Sequence, residues 1–409
     1  MKTFANLLAG LACLFFMVGC SPSVNDELFS NTVAKRMTVD KDKVVVADFT
    51  AFKDTVILPL SYLAEDLEII RLDNSDKALF KYGYVFLSEN YIGMLCYQPS
   101  SFKLFDRKTG KYLRDIGTRG NGPGEYRNIY SAQIDENAGN IYILPWQATQ
   151  LLVFGIDGSL KEPIPFPAST EKHRYEAPKG QFHVSDDGIL SMTVLPFYPI
   201  YAWQQDLKGN LLVALEKPES MGRINYRQMN YDSEVVVGKN TGAFDPFLMI
   251  FDNQSNDMLA HFCLEEKRMV PVFTVKNIQN ILPPYYSYYE LPKHFTGYYI
   301  PGMVPVEDSP NTRVGQAPRY FIIDKESLKG AYYKLVIDDF GNMPVEGDAL
   351  VFREGYYIGN MAAELVKTQI ASLLEKGRLT EPMAKKLKDF DAQFDEEDNN
   401  IVFLAKLKQ

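Results

Sequence analysis

Oxygen donors and aromatic rings are the side chains of this sequence with chemistry to offer. Glu89, Asn90, Asp135, Asp186, Asp187, Asp245 and Asn253 are hard ligands of the kind that hold Ca²⁺ when several converge from different parts of a chain. None of the four histidines (His173, His183, His261, His294) pairs with another at ligand spacing, so no zinc site is expected. A Gly-x-Ser-x-Gly elbow is missing, and no catalytic residue is assigned. Two carboxylates could still meet from distant segments to cleave a glycosidic bond, but nothing in the sequence singles out a pair. Aromatic candidates are denser. The stretch "ILPPYYSYYELPKHFTGYYIPG" sets Tyr285, Tyr286, Tyr288 and Tyr289 among prolines, and Trp146 and Trp203 each stand where an apolar run meets a turn. Such rings stack on sugars or grip peptides, which makes these six the candidate ligand-binding residues; the alternating tyrosines could equally pack between sheets.

One further stretch, "DIGTRGNGPGEYRNI" from Asp115 to Ile129, is rich enough in glycine to suggest a phosphate cradle. A phosphate loop leads directly into a helix and commonly carries Lys-Ser or Lys-Thr. Here the glycines lead into "EYRNIYSAQIDENAGNIYIL", which alternates like a strand and has no such Lys. The expected role is a sharp crossover that needs positive φ angles.

Bulk properties narrow the class. The chain has 409 residues, 46% of them hydrophobic, with 25 Tyr and 26 Phe against 2 Trp and 4 His, a balance that favours pleated sheets over helix bundles. A net charge of −9 and the lack of a basic block beyond the short "AKKLK" argue against nucleic acid as a partner. Cys96 and Cys263 lie far apart and read as free thiols, with no disulfide framework.

The elements that must position these side chains repeat along the chain. Phe105, Phe154, Trp203 and Phe251 recur at steps of 49, 49 and 48 residues, each in an apolar run, and a late copy surrounds Phe321. Turns such as "DRKTG", "GIDGS" and "DLKGN" separate the runs. Units of this length match four-stranded propeller blades, whose bare faces must stack on neighbours until a ring closes. We expect an all-β, six-bladed β-propeller over residues 55–409. Its last blade would be completed by pairing "DLEIIRLD" with "NNIVFLAKLK", with a helical hairpin inserted at 361–394. That hairpin would cover one end of the ring or dock a partner.

The start of the chain, "MKTFANLLAGLACLFFMVGC", has a Lys followed by a short apolar core and reads as a signal peptide over residues 1–19. "MVGC" resembles a bacterial lipobox, with Met17 in place of the usual Leu. The resemblance implies acylation of Cys20, anchorage to a membrane, and a lipidated tether over residues 20–50.

"GTRGNGPGEYRNIYSAQIDENAGNIYILPWQATQLLVFGIDGSL" resembles an NHL-type blade, with Glu125 and Tyr126 as its acidic-aromatic pair and Asp135 to Asn140 as its turn. The usual Asp after the second strand is replaced within "LPWQATQ". "LPLSYLAEDLEIIRLD" and "EEDNNIVFLAKLK" resemble the termini of six-bladed propeller lipoproteins of the Bacteroides group, a family of largely uncharacterised function. The resemblance implies a protein of the cell envelope, at the outer membrane or cell surface, and is nearly silent on activity; the role expected here is to bind or scaffold a glycan, a peptide or an outer-membrane partner protein. The alternative it raises is a metal-dependent hydrolase or lyase with Ca²⁺ in the channel; otherwise no cofactor is expected.

Overall fold

The computed structural model describes residues 28–97, 100–219, 233–250, 258–277, 285–306, 309–345 and 347–409. The signal peptide, Cys20 and Asn253 fall outside them. Continuous apolar runs explain the strands that form. Ile92 to Cys96 are buried without interruption, as are Ile141 to Leu144 and Leu151 to Gly155, so both faces of each sheet are covered by neighbouring sheets.

Sheet I comprises Gly83–Leu87, Tyr91–Tyr97, Ser100–Asp106 and Tyr112–Asp115. Sheet II comprises Ile129–Asp135, Asn140–Pro145, Gln150–Gly155 and Ile164–Pro165, and sheet III comprises Gly180–Val184, Ile189–Val194, Ile200–Asp206 and Leu211–Glu216. Sheet IV joins Met258–Cys263 and Arg268–Lys276 to Asp42–Asp48 and Ala34–Val39, with the hairpin of Glu234–Val236 and Phe247–Met249 packed beside it. Sheet V runs from Tyr285–Glu290 through His294–Ile300 and Arg319–Asp324 to Lys329–Ile337, and also takes in Asn31–Thr32, Thr55–Pro59 and Met343–Val345. Sheet VI orders Val351–Arg353, Tyr356–Met361, Ile401–Leu407 and Ala64–Arg71.

Six like blades are therefore not what the chain builds. Five sheets have four strands, and sheet V has seven. The extra strands come largely from the N-terminal region: Thr55–Pro59 pairs in parallel with Tyr332–Val336, and Asn31–Thr32 pairs with Lys329–Gly330. The expectation of a tether over residues 20–50 is corrected in the same way, because Ala34–Val39 and Asp42–Asp48 form a hairpin whose second strand pairs in parallel with sheet IV through Phe273↔Val45. Val44, Val45, Val46 and Ala47 are buried there, since an apolar run of this kind left in solvent would forfeit about 1.5–3 kcal/mol for each large side chain.

The chain ends meet in sheet VI, where Ala64–Arg71 pairs with Ile401–Leu407 through Ile70↔Val402 and Ile69↔Phe403. Two helices, Ala363–Glu375 and Glu381–Asp391, lie between Tyr356–Met361 and Ile401–Leu407, strands that stay paired at Met361↔Ile401. Gly377 at φ +61° and Pro382 in the first turn of the second helix separate them. Val366, Ile370 and Leu387 bury their apolar faces against Phe340 and Phe403.

The Gly-rich stretch crosses from sheet I to sheet II. Tyr126 is buried; its hydroxyl donates to the Ile116 carbonyl at 2.7 Å and accepts from the Phe102 N–H at 3.2 Å. Gly117 has φ +66°, and a Cβ there would fall 2.7 Å from the Tyr126 ring and 2.9 Å from the Phe154 ring. Gly117→Ala is expected to lower unfolding stability by at least ~1 kcal/mol, measured by denaturant titration, because both the backbone angle and the space forbid a side chain.

Candidate ligand-binding site

Contacts between sheets that are not neighbours mark a central axis. Tyr130 of sheet II donates its hydroxyl to Glu234 beside sheet IV, and His183 of sheet III feels the charges of Lys239 and of Glu354 beside sheet VI. Such reach requires Ile129–Asp135 and Gly180–Val184 to lie innermost in their sheets. The side chains at the strand starts then surround one mouth, and those at the strand ends surround the other.

The first mouth has a buried polar floor. Lys179 is held 2.6 Å from Glu234 Oε1 and donates to the Ser233 carbonyl at 3.0 Å, while Tyr130 occupies Glu234 Oε2 and accepts from the Val235 N–H at 3.2 Å. Burial and the adjacent Glu234 carboxylate push the Tyr130 hydroxyl well above the ordinary tyrosine range, so it remains a donor. Four aromatic side chains stand around this floor with open faces. Tyr82, Tyr84, Tyr97 and Trp146 are 59%, 45%, 50% and 37% exposed. Tyr84 and Tyr97 meet edge to face with centroids 5.3 Å apart, and the Lys179 ammonium lies 5.6 Å from the Trp146 ring centroid.

Along the axis, Arg353 lies 5.1 Å from the Phe86 ring, and its charge acts on the hydroxyls of Tyr97 and Tyr289. At the second mouth Lys239 and Glu354 pair at 2.7 Å beside His183, which burial holds neutral, with its pKa lowered to about 4. Glu89, Asp135, Glu136 and Asp186 share a hollow of about 430 Å³ with Gln133 and His183.

The expected site residues divide along these lines. Trp146 is at the first mouth and open. Tyr289 is half-buried and faces the axis near Arg353. Tyr285 pairs with Ile300 at the strand start, and its side chain lies outside the described ones. Tyr286 and Tyr288 are corrected: they are 5% and 1% exposed and pack on Phe247 and Phe273 between sheets IV and V, so no ligand can reach their faces. Trp203 is corrected as well, being fully buried against Phe166 and Tyr175 with its indole N–H on Gln205 Oε1 at 2.9 Å. Of the oxygen donors, Glu89, Asp135 and Asp186 come together; Asn90 bonds Glu136, and Asp187 bonds Ser185. Among the described residues, no three His, Cys, Asp or Glu side chains are grouped to hold a metal ion.

Tyr84, Tyr97, Lys179, Glu234 and Arg353 escaped the sequence reading. The available signal was position, since each stands at or next to the end of an apolar run. A hollow of about 1140 Å³ lies away from the axis, between the edge strand Thr55–Pro59 and the helix Ala363–Glu375, lined by Lys53, Arg319 and Lys334 among apolar side chains.

Asp245 is fully buried. Its Oδ1 accepts the N–H groups of Gly238 and Lys239 at 3.1 and 2.7 Å, and its Oδ2 has no hydrogen-bond partner among the described residues. Burial outweighs those two bonds and raises its pKa from the usual carboxylate value to about 6. Because the folded pKa lies above the unfolded one, stability from the protonated carboxyl is complete below about pH 4 and is lost as pH rises through 6. Asp245→Asn keeps an acceptor for both N–H groups and removes the buried charge. It is expected to stabilise the fold by about 1–3 kcal/mol at pH 7.5 and to give no gain at pH 4, measured by denaturant unfolding at the two values.

Sheets whose inner side chains converge on one axis define a β-propeller. The chain belongs to the family described as Domain of unknown function (DUF4934), whose sequence profile matches residues 44–406. It is similar in structure to a Bacteroides fragilis protein described as exported, with a TM-score of 0.59 and 16% identity over 89% of this chain and 100% of that one. A member of the DUF4221 family from Bacteroides vulgatus aligns over 85% of this chain and 97% of that one, with a TM-score of 0.47 and 13% identity. No curated protein matches the chain. Among the described residues, no helix is long and apolar enough to cross a membrane.

Proposed function

We propose that this propeller is a binding module displayed on the bacterial envelope by a lipid on Cys20, and that it takes its ligand, a saccharide or an extended peptide, across the first mouth of the axis. The observation that carries the proposal is the set of half-exposed rings, Tyr84, Tyr97 and Trp146, held around a floor in which Lys179, Glu234 and Tyr130 satisfy one another. Paired floor groups stay fixed when water is displaced, and open rings supply apolar faces that a sugar or peptide can cover.

Calorimetry against panels of glycans and peptides tests the site. Trp146→Ala and Tyr97→Ala are each expected to weaken binding by about tenfold or more, in line with the loss of a ring at a contact. Affinity unchanged in both variants would move the ligand elsewhere. The anchor is tested separately: Cys20→Ser is expected to shift the protein from the membrane fraction to the soluble fraction, because a single residue carries all the acyl chains.

A further inference from the structure

Several cations among the described residues that are buried or nearly so form ion pairs. Lys103 meets Asp115, Arg107 meets Glu68, Lys325 meets Glu290, and on the axis Lys179 meets Glu234 and Lys239 meets Glu354. Arg353 departs from this pattern. Among the described residues it forms no ion pair, and its Nε is buried without a hydrogen-bond partner. Its contacts are aromatic: the guanidinium lies 5.1 Å from the Phe86 ring and acts on the hydroxyls of Tyr97 and Tyr289. Its charge also acts on the Glu354 carboxylate, but without an ion pair, and the axial carboxylates have other partners. Glu354 is 2.7 Å from Lys239, and Glu234 is shared by Lys179 and Tyr130.

Arg353 is partly buried, and its planar set of N–H donors, with Nε unpartnered, matches the oxygens of a carboxylate or sulfate. We infer that the ligand of this propeller is an acidic saccharide whose carboxylate or sulfate enters the axis and pairs with Arg353, while its sugar rings lie on Tyr97 and Trp146. This inference rests on the binding role proposed above. Glu234 does not bar such a ligand, because Lys179 at 2.6 Å neutralises it.

The test compares matched pairs by calorimetry on the mature chain: tetragalacturonate against its methyl ester, and sulfated against unsulfated cellotetraose. Wild-type protein is expected to bind at least one acidic member about tenfold or more tightly than its neutral partner. Arg353→Gln should bring the acidic-to-neutral affinity ratio down to about one, and Arg353→Lys should restore part of it. An equal preference in Arg353→Gln overturns the inference. Wild-type protein that binds neutral and acidic members alike, through Trp146, overturns it too but leaves the binding role standing. Binding to none of the saccharides removes the inference, and binding to none of the glycans or peptides removes the role itself. Should Arg353→Gln fail to fold, as judged by its melting transition, the wild-type acidic-to-neutral ratio and its decline with added salt decide the matter.

Discussion

The antiparallel pairing of Ala64–Arg71 with Ile401–Leu407 is the constraint on which the rest of the structure depends. A ring of sheets has no natural end, and any sheet left with an open edge or an uncovered face would expose unpaired backbone and apolar surface. Here residues from both chain ends share one sheet, and Ile70, Val402 and Leu404 pack against Ile92, Met94 and Phe105 of sheet I. The first and last sheets are thereby joined. The N-terminal region does more than close sheet VI. Its strands also supply the outer parts of sheets IV and V, so three consecutive sheets are edged by residues 31–71. The ring cannot be complete until these residues have returned to strands more than two hundred positions downstream.

Closure also determines the electrostatics of the axis. Convergence of several sheets places Lys179, Glu234 and Tyr130 within reach of one another at one mouth, and Lys239, Glu354 and His183 at the other. Pairing resolves most of this crowding, and burial resolves the remainder by holding His183 neutral and Asp245 largely protonated below pH 6. The two mouths differ in consequence: open rings surround one, and carboxylates beside a buried histidine surround the other. An axis with unlike ends gives a ligand a direction of entry.

Parts of this were legible in the sequence for physical reasons that can be named. A strand covered on both faces must be apolar at every position, so runs such as "YIGML" and "IYILP" announce sheets in a stack, and the recurrence of Phe105, Phe154 and Trp203 at equal steps announces like units. That same recurrence held the clue that Trp203 is a core residue, since it occupies the place of two buried phenylalanines. The glycines between Asp115 and Ile129 were legible as a crossover because Gly117 needs a backbone angle that few residues adopt. Less legible was the hairpin of residues 34–48, whose "VVVAD" run was masked by the polar residues around it and whose partner strand lies far downstream.

The sequence by itself determined the class of structure, a propeller of repeated sheets, because periodicity and composition are local properties that any segment displays without its neighbours. Tertiary structure alone decided which rings are open. Alternation along Tyr285–Glu290 places Tyr286 and Tyr288 on one side and Tyr289 on the other, but only the packing of sheet IV against sheet V makes the first side a core and leaves Tyr289 facing the axis. The same holds for Arg353, an ordinary arginine in the sequence. Its lack of an ion pair among the described residues arises from where separate segments bring their side chains, and no local pattern encodes that.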